Sequence, residues 1–85
     1  MSVSNNTFKI LYFAVFQEKA NKAEEIRPLS DNLTAEMLFS NICTELGVEL
    51  SQKQVRVSVN HQFTAWDTVI MPNDIVAFIP PVAGG

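Results

Sequence analysis

The feature that most constrains the fold is one capped amphipathic helix between Asp31 and Gly47, set among apolar runs that alternate with the period of strands. Ala35, Leu38, Phe39, Ile42 and Leu46 follow the i, i+3, i+4, i+7, i+11 spacing of a single buried stripe. Thr34 is suited to cap the N-terminus, Glu36 sits in the first turn where the helix dipole favours a carboxylate, and Leu33 can staple to Leu38. Gly47 follows as the C′ residue. A helix with one apolar stripe must cover an apolar sheet, so the strands around it define the architecture.

The first candidate strand is 7–16, TFKILYFAVF, with Phe8, Ile10, Tyr12 and Ala14 on one face and Lys9, Leu11, Phe13 and Val15 on the other. Residues 17–24 are charged and polar and read as a connecting loop into a short strand near Glu25–Leu29, which Pro28 confines to an edge. After the helix, Val55, Val57 and Val59 alternate cleanly with Arg56 and Ser58. Asn60-His61 offers a turn into a return strand over Gln62–Trp66. Met71-Pro72-Asn73-Asp74 supplies a second turn, with Asn73 able to go left-handed, before a last strand at Ile75–Ile79. The class is α+β: a mixed four- to five-stranded sheet with one main helix on one face.

Eighty-five residues make one small domain, expected over 1–79, with 80–85 a flexible tail. Net charge is −3, and the six basic residues are scattered, which argues against nucleic acid. No apolar run is long enough for a membrane span, and MSVSNNTF lacks the layout of a signal peptide, so the expected compartment is the cytoplasm. The single Cys43, on the border of the helix stripe, has no helical His or Lys a turn away and reads as a structural thiol.

Internal chemistry is thin. His61 falls in a turn with no adjacent carboxylate, Glu24 and Glu25 point to opposite faces of a strand, and neither a phosphate loop nor metal spacing occurs. The end of the chain is different. Of three glycines, two are Gly84 and Gly85, preceded by Pro80-Pro81, which favours an extended exit. A terminal glycine pair fits a slot too narrow for any other residue, which is what chemistry at a terminal carboxylate requires. The alternative is a loose end with no role. A second candidate lies on the sheet face away from the helix. There Leu11, Phe13, Ile75 and Ile79, with Phe63 a candidate fifth, form an apolar patch that either docks a partner or lies under a loop.

FKILYFA at 8–14, VN at 59–60 and the ending across 73–85, with PPVAGG its most specific part, resemble the small subunit of molybdopterin synthase, a sulfur carrier of the ubiquitin-like β-grasp class. The resemblance spans nearly the whole chain. Thiamine-pathway sulfur carriers share the Gly-Gly end and the fold but usually lack the double proline. Two positions depart from the pattern: Gln17 stands where relatives often carry arginine, and Asn73-Asp74 where many have Gly-Asp. The resemblance implies that Gly85 is adenylated by an ATP-using enzyme of the ubiquitin-activating type and converted to a thiocarboxylate. It implies that Gly84 permits entry to the active site and that Pro80, Pro81, Val82 and Ala83 form the stem. It further implies a catalytic large subunit in a heterotetramer of two small and two large chains, with Phe13, Phe63 and Ile79 as candidate anchors. No cofactor or metal would be held stably, and the chain alone would be inert toward the pterin precursor. The competing readings are a carrier for thiamine or another cofactor, a ubiquitin-like modifier, and a plain binding module.

Overall fold

Strand alternation sorts the apolar residues onto the two faces of a five-stranded sheet, and the helix covers one of them. The computed structural model describes residues 6–80. The order of elements is β1 (Thr7–Leu11), α1 (Val15–Ala20), β2 (Glu24–Pro28), α2 (Ala35–Leu46), β3 (Arg56–Val59), β4 (Gln62–Thr64) and β5 (Ile75–Ile79). In space the strands run β2-β1-β5-β3-β4. β1 and β5 are parallel at the centre, and every other pairing is antiparallel. This is the expected α+β, ubiquitin-like β-grasp architecture.

α2 begins as its sequence dictates: the Thr34 hydroxyl accepts a hydrogen bond from Met37 N at 3.2 Å. It ends at Gly47, whose φ of 71° is a left-handed angle that glycine adopts without a Cβ penalty. Ala35, Leu38, Phe39 and Ile42 are buried along it and share one core with Phe8, Ile10, Val57, Val76 and Phe78 of the sheet. Leu46 and Val59 are only partly buried at the margin of that core.

The first apolar run departs from its reading as one long strand. β1 stops at Leu11, and residues 15–20, split by that reading between strand and loop, form α1. Ala14 takes φ 51° and ψ −125° at the start of α1, and Asn21 closes it at φ 60°. This turn changes which side chains face inward. Ala14 is exposed instead of buried, while Phe16 enters the core, 6.3 Å from the Phe39 ring and 6.0 Å from the Phe78 ring.

Asn60 and His61 both have positive φ, which gives the two-residue turn that matches strand twist in a hairpin. The Asn60 side chain then holds the start of β5. Its Nδ2 donates to Asp74 Oδ1 at 2.9 Å, and its Oδ1 accepts from Ile75 N at 3.0 Å. Asp74 Oδ2 in turn accepts from Met71 N at 2.8 Å, and Asn73 occupies the left-handed region at φ 70°.

Edge strand β2 is tied to α2 by charge. Arg27 donates to Glu45 from Nη1, at 2.9 Å, and from Nη2, which also donates to Glu25 at 3.3 Å, while the Tyr12 hydroxyl donates to Glu25 at 2.6 Å. Burial first, and the hydrogen bond to Glu25 second, push the Tyr12 phenol up to about 12. The Tyr12 hydroxyl is the main cause that lowers Glu25, and Arg27 is the main cause that lowers Glu45. These carboxylates therefore stabilise the fold above their ordinary value of 4.5 and lose that contribution as pH falls through their lower folded values. Tyr12 behaves in the opposite sense. Its contribution is complete below the ordinary 10.0 and is lost as pH rises towards about 12. Melting temperature measured against pH should fall at both ends, and Tyr12→Phe should flatten the alkaline fall relative to the parent. Identical alkaline limbs in the two proteins would remove Tyr12 from this account.

Candidate docking face and tail root

With α2 on one face, the outward residues of the other are fixed by register. Lys9 pairs with Ile75 and Leu11 with Ala77; Arg56 pairs with Ile79 and Ser58 with both Ala77 and Phe63. Leu11, Phe13, Ser58, His61, Phe63, Ala77 and Ile79 line one open depression of about 310 Å³. Phe13 is 43% and Phe63 56% exposed, so no loop among the described residues covers them. The three expected anchors, Phe13, Phe63 and Ile79, are thus brought together, although Phe13 reaches the face from the turn after β1 and not from the strand itself. Ile75 lies on the same face but lines a separate hollow with Thr7, Phe8, Lys9, Ile26 and Asn73.

Two members of this face escaped the sequence reading. The Arg56 guanidinium carbon stands 4.0 Å from the centre of the Phe63 ring, a cation–π contact that orients the ring and sets a positive charge at the rim. The alternation of VRVSV does place Arg56 outward, but only the register of β3 against β4 shows that Phe63 is its neighbour. His61 is exposed in its turn, as expected, yet it also lines the depression.

Pro80 is half-buried and lines a larger, mainly apolar hollow of about 490 Å³ with Ala14, Val15, Lys19, Gly47, Val48, Glu49 and Leu50. Phe13 and Ile79 line the first hollow, and their successors Ala14 and Pro80 line the second, so β5 ends where the two hollows adjoin. Pro81, Val82, Ala83, Gly84 and Gly85 lie outside the described residues.

Other chemistry is sparse among the described residues. No group of three or more His, Cys, Asp or Glu could hold a metal ion. Glu24 faces Lys9 at 3.6 Å while Glu25 turns to Tyr12 and Arg27, so the two carboxylates share no site. Burial raises the Cys43 thiol, which keeps it protonated. Among the described residues no helix is long and apolar enough to cross a membrane.

The pattern of the ThiS family matches residues 10–85, from β1 through the terminal glycine. The chain belongs to the ThiS family. Solved structures share the fold of this ThiS-family chain. A Pyrococcus furiosus protein provisionally named molybdopterin converting factor, subunit 1, is 26% identical, with a TM-score of 0.74 over 91% of this chain and 99% of that one. SAMP1 from Haloferax volcanii is 18% identical, with a TM-score of 0.75 over 93% of this chain and 99% of that one. A chain in the Helicobacter pylori complex of subunits 1 and 2 of molybdopterin-converting factor is 15% identical, with a TM-score of 0.62 over 93% and 99%. Family and fold together fit a small, ubiquitin-like sulfur carrier.

Proposed function

We propose that this ThiS-family chain is the sulfur-carrying small subunit of a molybdopterin synthase. The observation that carries the reading is the extent of the family match, which runs to Gly85 and so includes the tail within the shared pattern. The 26% identity to the Pyrococcus furiosus protein supports the molybdopterin branch, as does the Pro80-Pro81 stem.

In this scheme the Gly85 carboxylate attacks the α-phosphorus of ATP in the activating enzyme and expels pyrophosphate. Hydrosulfide released from the sulfur donor then adds at the acyl carbon, AMP leaves with the electrons of the acyl–oxygen bond, the S–H proton is lost, and the product is a thiocarboxylate. The carrier supplies the sulfur, and the large subunit supplies the pterin chemistry. Two small and two large chains would form the complex, with the activating enzyme and the large subunit using the same open sheet face in turn. Intact-mass analysis after incubation with activating enzyme, ATP and a sulfur donor should show a gain of about 16 Da, the difference between sulfur and oxygen, on the peptide ending in Gly85. The same gain on Cys43, or none at all, defeats the proposal. An isopeptide bond from Gly85 to a lysine would instead favour a ubiquitin-like modifier.

Docking gives a separate expectation. The few residues that anchor an interface each cost about 2 kcal/mol or more when truncated, so Phe63→Ser, if Phe63 is such an anchor, should weaken binding to the large subunit by about 30-fold or more. Its melting temperature should hardly change, because Phe63 is half in solvent already. Undiminished binding by calorimetry would take the depression out of the interface.

A further inference from the structure

The outer edge of β2 carries a self-complementary pattern that neither the tail nor the depression uses. β2 is an end strand of the sheet, and its Ile26 is 64% exposed. The hydrogen bonds from Tyr12 N to Ala23 O, 2.8 Å, and from Leu29 N to Asn6 O, 2.9 Å, set the phase of the β1–β2 ladder. With Phe8 opposite Arg27 and Ile10 opposite Glu25, that phase turns the main-chain groups of Glu25 and Arg27 towards β1. The main-chain groups of Glu24, Ile26 and Pro28 then face outward, and among the described residues no strand or loop meets them.

The geometry points to a second copy of this chain as the partner of that edge, paired antiparallel about Ile26. In this register the two Ile26 residues exchange N–H···O=C bonds, and each Glu24 N–H donates to the Pro28 carbonyl of the other copy. Glu25 of each copy stands opposite Arg27 of the other, on the side of the sheet where both already lie near α2. Sliding one strand by two residues, the smallest shift that keeps hydrogen-bonding groups facing, sets Glu25 against Glu25 or Arg27 against Arg27. Charge therefore selects the register centred on Ile26. The two exposed Ile26 side chains meet on the open face, and the two sheets become continuous. β4, which carries Phe63, lies at the opposite edge, so the depression stays free in such a dimer.

Sedimentation equilibrium on the full chain tests this. Weight-average mass should rise from 9.5 kDa towards twice that value as concentration approaches about 1 mM, the range in which a small strand-edge contact is populated. Ile26→Lys, a change at an exposed side chain, should hold the protein at monomer mass throughout. Glu25→Arg and Arg27→Glu should each be monomeric alone, and their equimolar mixture should regain association, since every facing pair is then opposite in charge. Both also disturb contacts to Tyr12 or Glu45, so circular dichroism must show them folded; if either is not, Ile26→Lys decides. A parent chain that remains at 9.5 kDa near 1 mM overturns the proposal, as does association undiminished in Ile26→Lys. Association abolished by Phe63→Ser but not by Ile26→Lys would overturn it by moving the contact to the depression. None of these outcomes depends on sulfur chemistry at Gly85, so this inference and the proposed function stand or fall separately.

Discussion

If the proposed carrier role holds, replacing Gly84 by valine, or deleting Gly85, should abolish sulfur transfer while the melting temperature stays within a degree or so of the parent, since the described core is already closed by side chains between Phe8 and Phe78. The cause is steric and chemical. An adenylating enzyme must hold the last carboxylate in line with a phosphate, and a channel that admits only main chain rejects a branched Cβ. Deletion leaves Gly84 one residue, roughly 3.3 Å, short of the reacting position. Adding a residue after Gly85 overshoots by the same amount. Binding to the large subunit should weaken only partly in each case, because the depression lined by Phe13, Phe63 and Ile79 is untouched. Single-turnover transfer with purified partners makes the measurement, and full transfer from the shortened chain would end the carrier reading.

Phe16→Ala should be among the most damaging single truncations in the domain, at about 3–5 kcal/mol. Phe16 is 1% exposed and is among the largest fully buried side chains. It packs edge-on to Phe39 and tilts against Phe78, which itself lies 5.4 Å from Phe39. Removing the ring leaves a cavity between α2 and β5 that neighbours on a helix and a paired strand cannot close. Such a loss is a large share of the roughly 5–15 kcal/mol that holds a small domain folded. Phe63→Ala, an exposed phenylalanine of the same chain, provides the control. Equal shifts in denaturant midpoint for the two variants would refute the burial argument.

That Phe16 reaches the core from a helix and not from a strand was not legible in the sequence. In TFKILYFAVF both faces of a hypothetical strand are apolar and aromatic or branched side chains dominate, so neither periodicity nor propensity marks where β1 ends. The break occurs at Ala14, whose positive φ alanine does not advertise, and the burial of Phe16 outweighs the strand preference of its neighbours. Where chemistry is local, the reading succeeds. Thr34 and Gly47 bound α2 because a hydroxyl and a missing Cβ act on their own turn of helix, and Asn73 goes left-handed as asparagine readily does. The site divides in the same way. Strand alternation alone places Leu11, Ile75 and Ile79 on the face away from α2, while Phe13 reaches it from a turn and Phe63, the Arg56–Phe63 contact and the Asn60 clamp on Asp74 depend on pairing between distant segments.

The parallel pairing of β1 with β5 has a mechanical consequence. β5 is the middle strand of five, laddered to β1 on one side and β3 on the other, and the tail is its direct continuation. A pull on the terminus, as when a partner releases or withdraws it, loads both ladders lengthwise, so several hydrogen bonds must yield together instead of peeling singly from an edge. The chain can therefore be drawn by its end without coming apart, and an interface on the sheet face should let go before the domain does.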